Sequence, residues 1–141
     1  MESELALVDS SIWIRYLRRG GPAGLRIAVE GALGNGQVAT CSVIDAELLQ
    51  GARNDQDFVE LRGRLDGLDR IPITPELWAE AAQLGYRLRK VGVPLTVPDL
   101  VIAQCAISSH RVLWHADRVF ERVNAHTDLQ TRPWELPGSG S

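Results

Sequence analysis

The residues in this chain best suited to chemistry are four acids, Asp9, Glu47, Asp99 and Asp117. Asp9 ends the apolar run Leu5-Ala6-Leu7-Val8, and Glu47 sits inside Ala46-Glu47-Leu48-Leu49. Asp99 follows Pro98, and Asp117 comes shortly after Val112-Leu113-Trp114. Carboxylates gathered in one place repel and cannot all stay ionised in a dry site. A hard divalent cation relieves this, and Mg²⁺ or Mn²⁺ favours carboxylate oxygens while keeping several waters. One or two such ions can activate a water and stabilise the charge on a phosphodiester cleaved in line. Several acids with no nucleophilic side chain therefore suit metal-assisted hydrolysis, with Mg²⁺ as the expected cofactor and Mn²⁺ as a substitute.

Each acid taken alone also has a structural explanation. Aspartates at strand ends and before helices often cap the helix that follows, which would account for Asp9 and Asp117. Asp99 could favour the positive end of a helix dipole, a contribution of ~0.3–1 kcal/mol. Glu47 could be a solvated helix residue, although its apolar neighbours argue for partial burial. Only the four together make a candidate site.

The elements that must position them alternate between strand and helix. Leu5–Val8 reads as a strand buried on both faces. Ser10 or Ser11 can cap a helix carrying Ile12, Trp13, Tyr16 and Leu17, and Gly20-Gly21-Pro22 breaks it. A helix is expected over Ala23–Leu33, then a strand over Val38–Cys41. Ser42 is a candidate cap for the helix that holds Glu47, with Asp45 completing a capping-box variant. Phe58, Leu61, Leu65 and Leu68 recur at helical spacing, and Ile71-Pro72-Ile73 suggests an edge strand or a strand end. Thr74-Pro75-Glu76 opens a helix with Leu77, Ala81, Leu84 and Leu88 on one face. Pro98 begins a helix over Asp99–Ser108 that is apolar nearly all round and so buried. Val112–Trp114 is a strand, Asp117 precedes a short helix, and a last strand is expected near Leu129. This alternation predicts an α/β fold with parallel pairing. In such a sheet ligands gather beyond the carboxyl ends of the strands, which is where all four acids could meet.

The totals set the limits. A chain of 141 residues suits one domain, read here as residues 1–135, with 136–141 a flexible tail or linker. No apolar run is long enough to cross a membrane, and the acidic start Met1-Glu2-Ser3-Glu4 does not resemble a signal peptide, so a cytoplasmic location is expected. Cys41 and Cys105 lie in apolar stretches and read as buried free thiols. The net charge of −3 excludes nucleic-acid binding by overall charge, so an RNA substrate would need local cations. Arg15, Arg18 and Arg19 form one basic cluster and Arg87, Arg89 and Lys90 another, each equally explicable as a solvated helix end. Trp13, Trp78 and Trp114 sit in apolar patterns and are expected in the core or at an interface between copies. Trp134 could stack on a base.

Taken in order, four segments resemble the PIN-domain ribonucleases, especially the VapC toxins of bacterial toxin–antitoxin pairs. They are Leu7-Val8-Asp9-Ser10-Ser11-Ile12-Trp13-Ile14, Cys41-Ser42-Val43-Ile44-Asp45-Ala46-Glu47-Leu48, Pro94 to Ala103, and His115-Ala116-Asp117-Arg118-Val119-Phe120. The resemblance runs from residue 5 to about 130. It implies an α/β/α sandwich around a mostly parallel sheet of four to five strands. It assigns Asp9, Glu47, Asp99 and Asp117 to a metal site, with Ser11 as a supporting hydroxyl. It further implies an RNA substrate, a homodimer, and silencing by a cognate VapB-type antitoxin.

Two positions depart from that pattern. Val119 stands where many relatives carry a further acid, which puts a second metal ion in doubt. His115 stands where many carry threonine or serine, and it is either a substrate contact or a structural residue at the rim. Rival chemistries fit less well. An aspartate-based phosphatase wants a second aspartate where Ser11 stands, and a phosphoacceptor receiver needs a lysine after its last strand, whereas Lys90 lies in a helix. A weakened protein-binding module, or an RNA-processing nuclease outside a toxin pair, remains the alternative.

Overall fold

The computed structural model describes residues 4–18 and 23–134. In chain order the elements are β1 (Ala6–Val8), α1 (Ser10–Leu17), α2 (Ala23–Gly34), β2 (Val38–Thr40), α3 (Ser42–Leu49), α4 (Asp55–Asp66) and β3 (Asp69–Arg70). They continue as α5 (Pro75–Lys90), α6 (Val97–Ser109), β4 (Val112–His115), α7 (Arg118–Asn124) and β5 (Thr131–Pro133). The five strands form one sheet in the order β3-β2-β1-β4-β5, and every pairing is parallel. This is the expected α/β/α sandwich.

Burial explains the sequence pattern. Ala6, Leu7 and Val8 are wholly buried, as a central strand covered on both faces requires. The edges are blunted, since β3 is two exposed charged residues and β5 ends in Pro133. On α6, six consecutive residues from Val101 to Ala106 are buried, so this helix passes through the core. Cys41 and Cys105 are both buried and free.

Several local expectations need correction. The first helix is capped by Asp9 rather than by Ser10 or Ser11, because the carboxylate accepts the Ser11 N–H. Cys41, not Ser42, is the N-cap of α3 and makes no side-chain cap bond. Asp45 does not complete a capping box either. It accepts from Thr40 Oγ1 at 2.7 Å and pairs with Arg70, tying α3 to β2 and β3. The edge strand lies at Asp69–Arg70, just before Ile71, since Pro72 cannot donate to a ladder. The last strand begins at Thr131, two residues beyond Leu129. Thr96 caps α6, placing Pro98 inside the first turn. Trp13 and Trp114 are core residues, but Trp78 is 47% exposed. The Gly20-Gly21-Pro22 break, Arg19 and the 136–141 tail lie outside the described residues.

Candidate active site

The strand order creates the crevice. The chain enters at β1 in the middle of the sheet, moves outward through β2 to β3, then returns to lay β4 on the other side of β1. The direction of winding therefore reverses between β1 and β4, and in open parallel sheets that reversal opens a cleft beyond the carboxyl ends of the strands. Asp9 directly follows β1 and Asp117 follows β4, so these two flank the cleft. The Asp9 N–H donates to the Trp114 carbonyl at 3.0 Å, joining the two strand ends.

Asp9 is 4% exposed. Its Oδ2 accepts the Ser11 N–H at 3.1 Å and the Ser11 hydroxyl at 2.5 Å. Ser11 Oγ in turn accepts the Ala116 N–H at 3.0 Å, so one hydroxyl bridges the ends of β1 and β4. Glu47, half-buried on α3, accepts the Ser10 hydroxyl at 3.0 Å. Asp99 occupies the first turn of α6, with its N–H directed to Thr96 Oγ1. Asp117 is exposed, caps α7 by accepting the Val119 N–H at 3.1 Å, and donates its own N–H to His115 Nδ1 at 3.1 Å.

The four acids form one electrostatic neighbourhood. Burial pushes Asp9 above the usual carboxylate range, and nearby Glu47 adds to the effect while the Ser11 bonds oppose it. Burial also raises Glu47, with Asp99 contributing and Ser10 opposing. Asp99 is raised first by burial and then by both Asp117 and Asp9, which places it electrically at the centre. Such a set is the donor chemistry a hard cation requires. No three His, Cys, Asp or Glu side chains among the described residues form a ready-made coordination shell.

His115 does not stand at the rim. It is wholly buried, with its ring edge-on to Phe120 at 5.3 Å between centroids. Because Nδ1 accepts the Asp117 N–H, the ring proton sits on Nε2, which donates to Glu121 Oε2 at 2.7 Å. Contact with a substrate is thereby excluded, and the ring holds the Asp117 backbone instead. Sequence reasoning did not find the roles of Ser10 and Glu121. Glu121 is spaced one turn along the helix that Asp117 caps, which was the available signal. Of the basic residues, Arg15 folds back to the Ser11 carbonyl at 2.8 Å, while Arg87, Arg89 and Lys90 end α5 exposed to solvent. Trp134 packs on Trp114, with the Arg132 guanidinium over both rings.

The PIN domain family model matches residues 6–125. Ribonuclease VapC18 of Mycobacterium tuberculosis is 34% identical over 134 residues, 92% of this chain and 94% of that protein. The solved structure of VapBC-1 from nontypeable Haemophilus influenzae is 25% identical, with a TM-score of 0.72 over 92% of this chain and 97% of that one. VapBC-5 of Mycobacterium tuberculosis, described as a member of the VapBC family of toxin-antitoxin systems, has a TM-score of 0.62 at 18% identity. It covers 92% of this chain and 99% of its own, and at that identity the likeness speaks for the fold alone.

Proposed function

The chain belongs to the PIN-domain family, and on that footing we propose that it is a metal-dependent endoribonuclease toxin of the VapC kind, acting on cellular RNA in the cytoplasm and silenced by a cognate VapB-type antitoxin. The observation that carries this reading is the gathering of Asp9, Glu47, Asp99 and Asp117 at the reversal point of the sheet, three of them held above their usual proton affinity. The 34% identity to a protein named as a ribonuclease supports the reaction class, and the likeness to VapBC-1 supports an antitoxin partner. No helix among the described residues is long and apolar enough to cross a membrane. Homodimerisation belongs to the same proposal.

Asp9, Glu47, Asp99 and Asp117 would hold Mg²⁺, or Mn²⁺ in its place. When bound, the ion supplies an activated water and neutralises charge on the phosphodiester. The chain's own residues do the rest. Ser11 and Ser10 fix the carboxylates of Asp9 and Glu47, so these oxygens need not reorganise as the substrate arrives. The Asp117 backbone is set by His115, and its carboxylate by the Val119 N–H.

The test is to treat total cellular RNA with the purified chain and sequence the new ends. Discrete ends are expected with Mg²⁺ or Mn²⁺, and they should vanish with chelator and with Asp9→Asn. A folded protein, free of antitoxin, that leaves no new ends under any of these conditions would be a binding module and not an enzyme.

A further inference from the structure

A cavity of about 590 Å³, lined by none of the four carboxylates, lies between the end of α5 and the start of α6. Gly85, Leu95 and Leu100 give it an apolar lining, which Tyr86 joins, and Arg89 and Lys90 supply its charge. The two helices run antiparallel. Gln104 Nε2 reaches Glu80 at 3.4 Å, and Gly85 packs so closely on Leu100 that a Cβ at that position would lie 2.6 Å from its Cδ1. This pairing sets the last turn of α5 against the first turn of α6. Leu100, which lines the cavity, is the residue after Asp99, so the cavity and the acidic cleft share the first turn of α6.

Three features of the cavity match the chemistry of one nucleotide. The lining is largely apolar and can cover the face of a base. Tyr86 is 63% exposed and offers an aromatic surface, with Lys90 Nζ 4.4 Å from its ring centroid. Bases stack on such rings whatever their sequence, and a neighbouring cation strengthens the contact. Arg89 and Lys90 are exposed and pair with no carboxylate among the described residues, so their charge is available to a phosphate. A chain with net charge −3 and an acidic cleft needs local cations to bring a polyanion to that cleft.

We propose that this cavity is a nucleotide subsite, which takes the base of an unpaired ribonucleotide flanking the scissile bond against Tyr86 while Arg89 and Lys90 hold its phosphate. The base must be unpaired because a duplex hides both of its faces, so the subsite selects loops and single strands. This inference rests on the ribonuclease reading above.

The test uses the full chain carrying Asp9→Asn, so that RNA is bound and not cut, with Mg²⁺ and a short fluorescein-labelled single-stranded RNA followed by anisotropy. Adding Tyr86→Ala is expected to weaken binding about 10-fold, while Tyr86→Phe stays within about 2-fold. Adding Arg89→Ala with Lys90→Ala should make the salt dependence shallower by about 1.4, two contacts at ~0.7 each on a single strand. Arg64→Ala, at the exposed end of α4, serves as the control that leaves binding unchanged. Unaltered affinity and salt slope in the cavity variants, with thermal melts like the parent, overturn the subsite while leaving the nuclease intact. A shift of Tyr86→Ala from dimer to monomer in sedimentation also overturns it, since the face would then join two copies of the chain. Failure of the unsubstituted chain to cut any RNA overturns the ribonuclease reading itself, and the subsite with it.

Discussion

Asp9 and Asp117 are built by the same local device and end in different environments. Each follows one of two neighbouring parallel strands, each caps the next helix, and each accepts the N–H two residues ahead at 3.1 Å. The residue two ahead is the difference. Ser11 adds a hydroxyl that donates to Asp9 and also accepts the Ala116 N–H from across the cleft, whereas the Val119 side chain has nothing to donate. Asp9 is buried under that bridge, while Asp117 is exposed and is held from beneath through its backbone by His115. The Asp9 carboxylate is therefore held by a hydroxyl and a backbone N–H, and the Asp117 carboxylate by a backbone N–H alone. A shared backbone motif sets where the two acids stand, and one side chain at the following position sets how firmly each carboxylate is held.

The largest expected effect separates them by activity. Asp9→Asn should lower RNA cleavage by at least about 100-fold, because a buried, pre-set oxygen has no replacement. Asp117→Asn should cost about 10-fold, since water can take the place of an exposed ligand oxygen that one backbone N–H holds. Initial rates on one cleaved RNA, at saturating Mg²⁺, make the comparison. Equal losses would mean that burial does not rank the two acids.

A stability effect of intermediate size follows from Ser11. Ser11→Ala removes the donor to Asp9 and strands the Ala116 N–H, and should destabilise the fold by about 1–3 kcal/mol in denaturant titrations. Val119→Ala, at the matching position after Asp117, breaks no hydrogen bond and should cost only the lost packing, about 1 kcal/mol for a half-buried side chain. If the two substitutions cost the same, the Ser11 bridge contributes nothing beyond packing.

How much of this was legible in the sequence depends on how far each feature reaches. The three central strands and the helices between them were legible because Leu5–Val8, Val38–Cys41 and Val112–Trp114 are short apolar runs closed by polar residues. The edges were less so. β3 is two charged residues with no apolar signature, and its pairing is visible only once Ile71 donates to the Thr40 carbonyl. The caps were misread where a serine stood next to the true N-cap, since Asp9 and Cys41 each precede a serine that has the better local propensity at position 42 and an equal one at position 10. The places of the four acids could be argued from strand ends and helix starts. The bond from Ser11 to Ala116 spans 105 residues, and that from Ser10 to Glu47 spans 37, so no local pattern could reveal them.

The electrostatic side of the comparison can be read by pH. Asp9, Glu47 and Asp99 each have a folded-state proton affinity raised above the unfolded value, mainly by burial. Groups of this kind stabilise the fold fully below their unfolded pKa, and that contribution is lost as the pH rises through the folded one. In chelator, the melting temperature should therefore climb as the pH is lowered from ~8 towards ~5, across the window just above the ordinary carboxylate range. Mg²⁺ should raise it more at the upper end, where the ligands are ionised, than at the lower end. Asp9→Asn should flatten the chelator profile most, as it removes the most deeply buried of the three charges. A profile that falls steadily on acidification, with no gain from Mg²⁺, would refute the electrostatic account.

The smallest effect probes the support beneath Asp117. Glu121 never meets the cleft. It accepts the Nε2 proton of His115, and this fixes the tautomer whose Nδ1 can accept the Asp117 N–H. Its side chain is 34% exposed, so solvent screens the pair and its net worth is about 1 kcal/mol. Glu121→Ala should accordingly lower the melting temperature by about 2–4 °C and kcat by about 3-fold, with KM unchanged, because Asp117 would be less well placed and not absent. Glu121→Gln keeps an acceptor oxygen and should restore both. If alanine lowers stability but leaves kcat alone, His115 and Glu121 only brace the fold and Asp117 does not depend on them. If glutamine fails to rescue kcat, the charge of Glu121 matters and not its acceptor, and the tautomer argument falls.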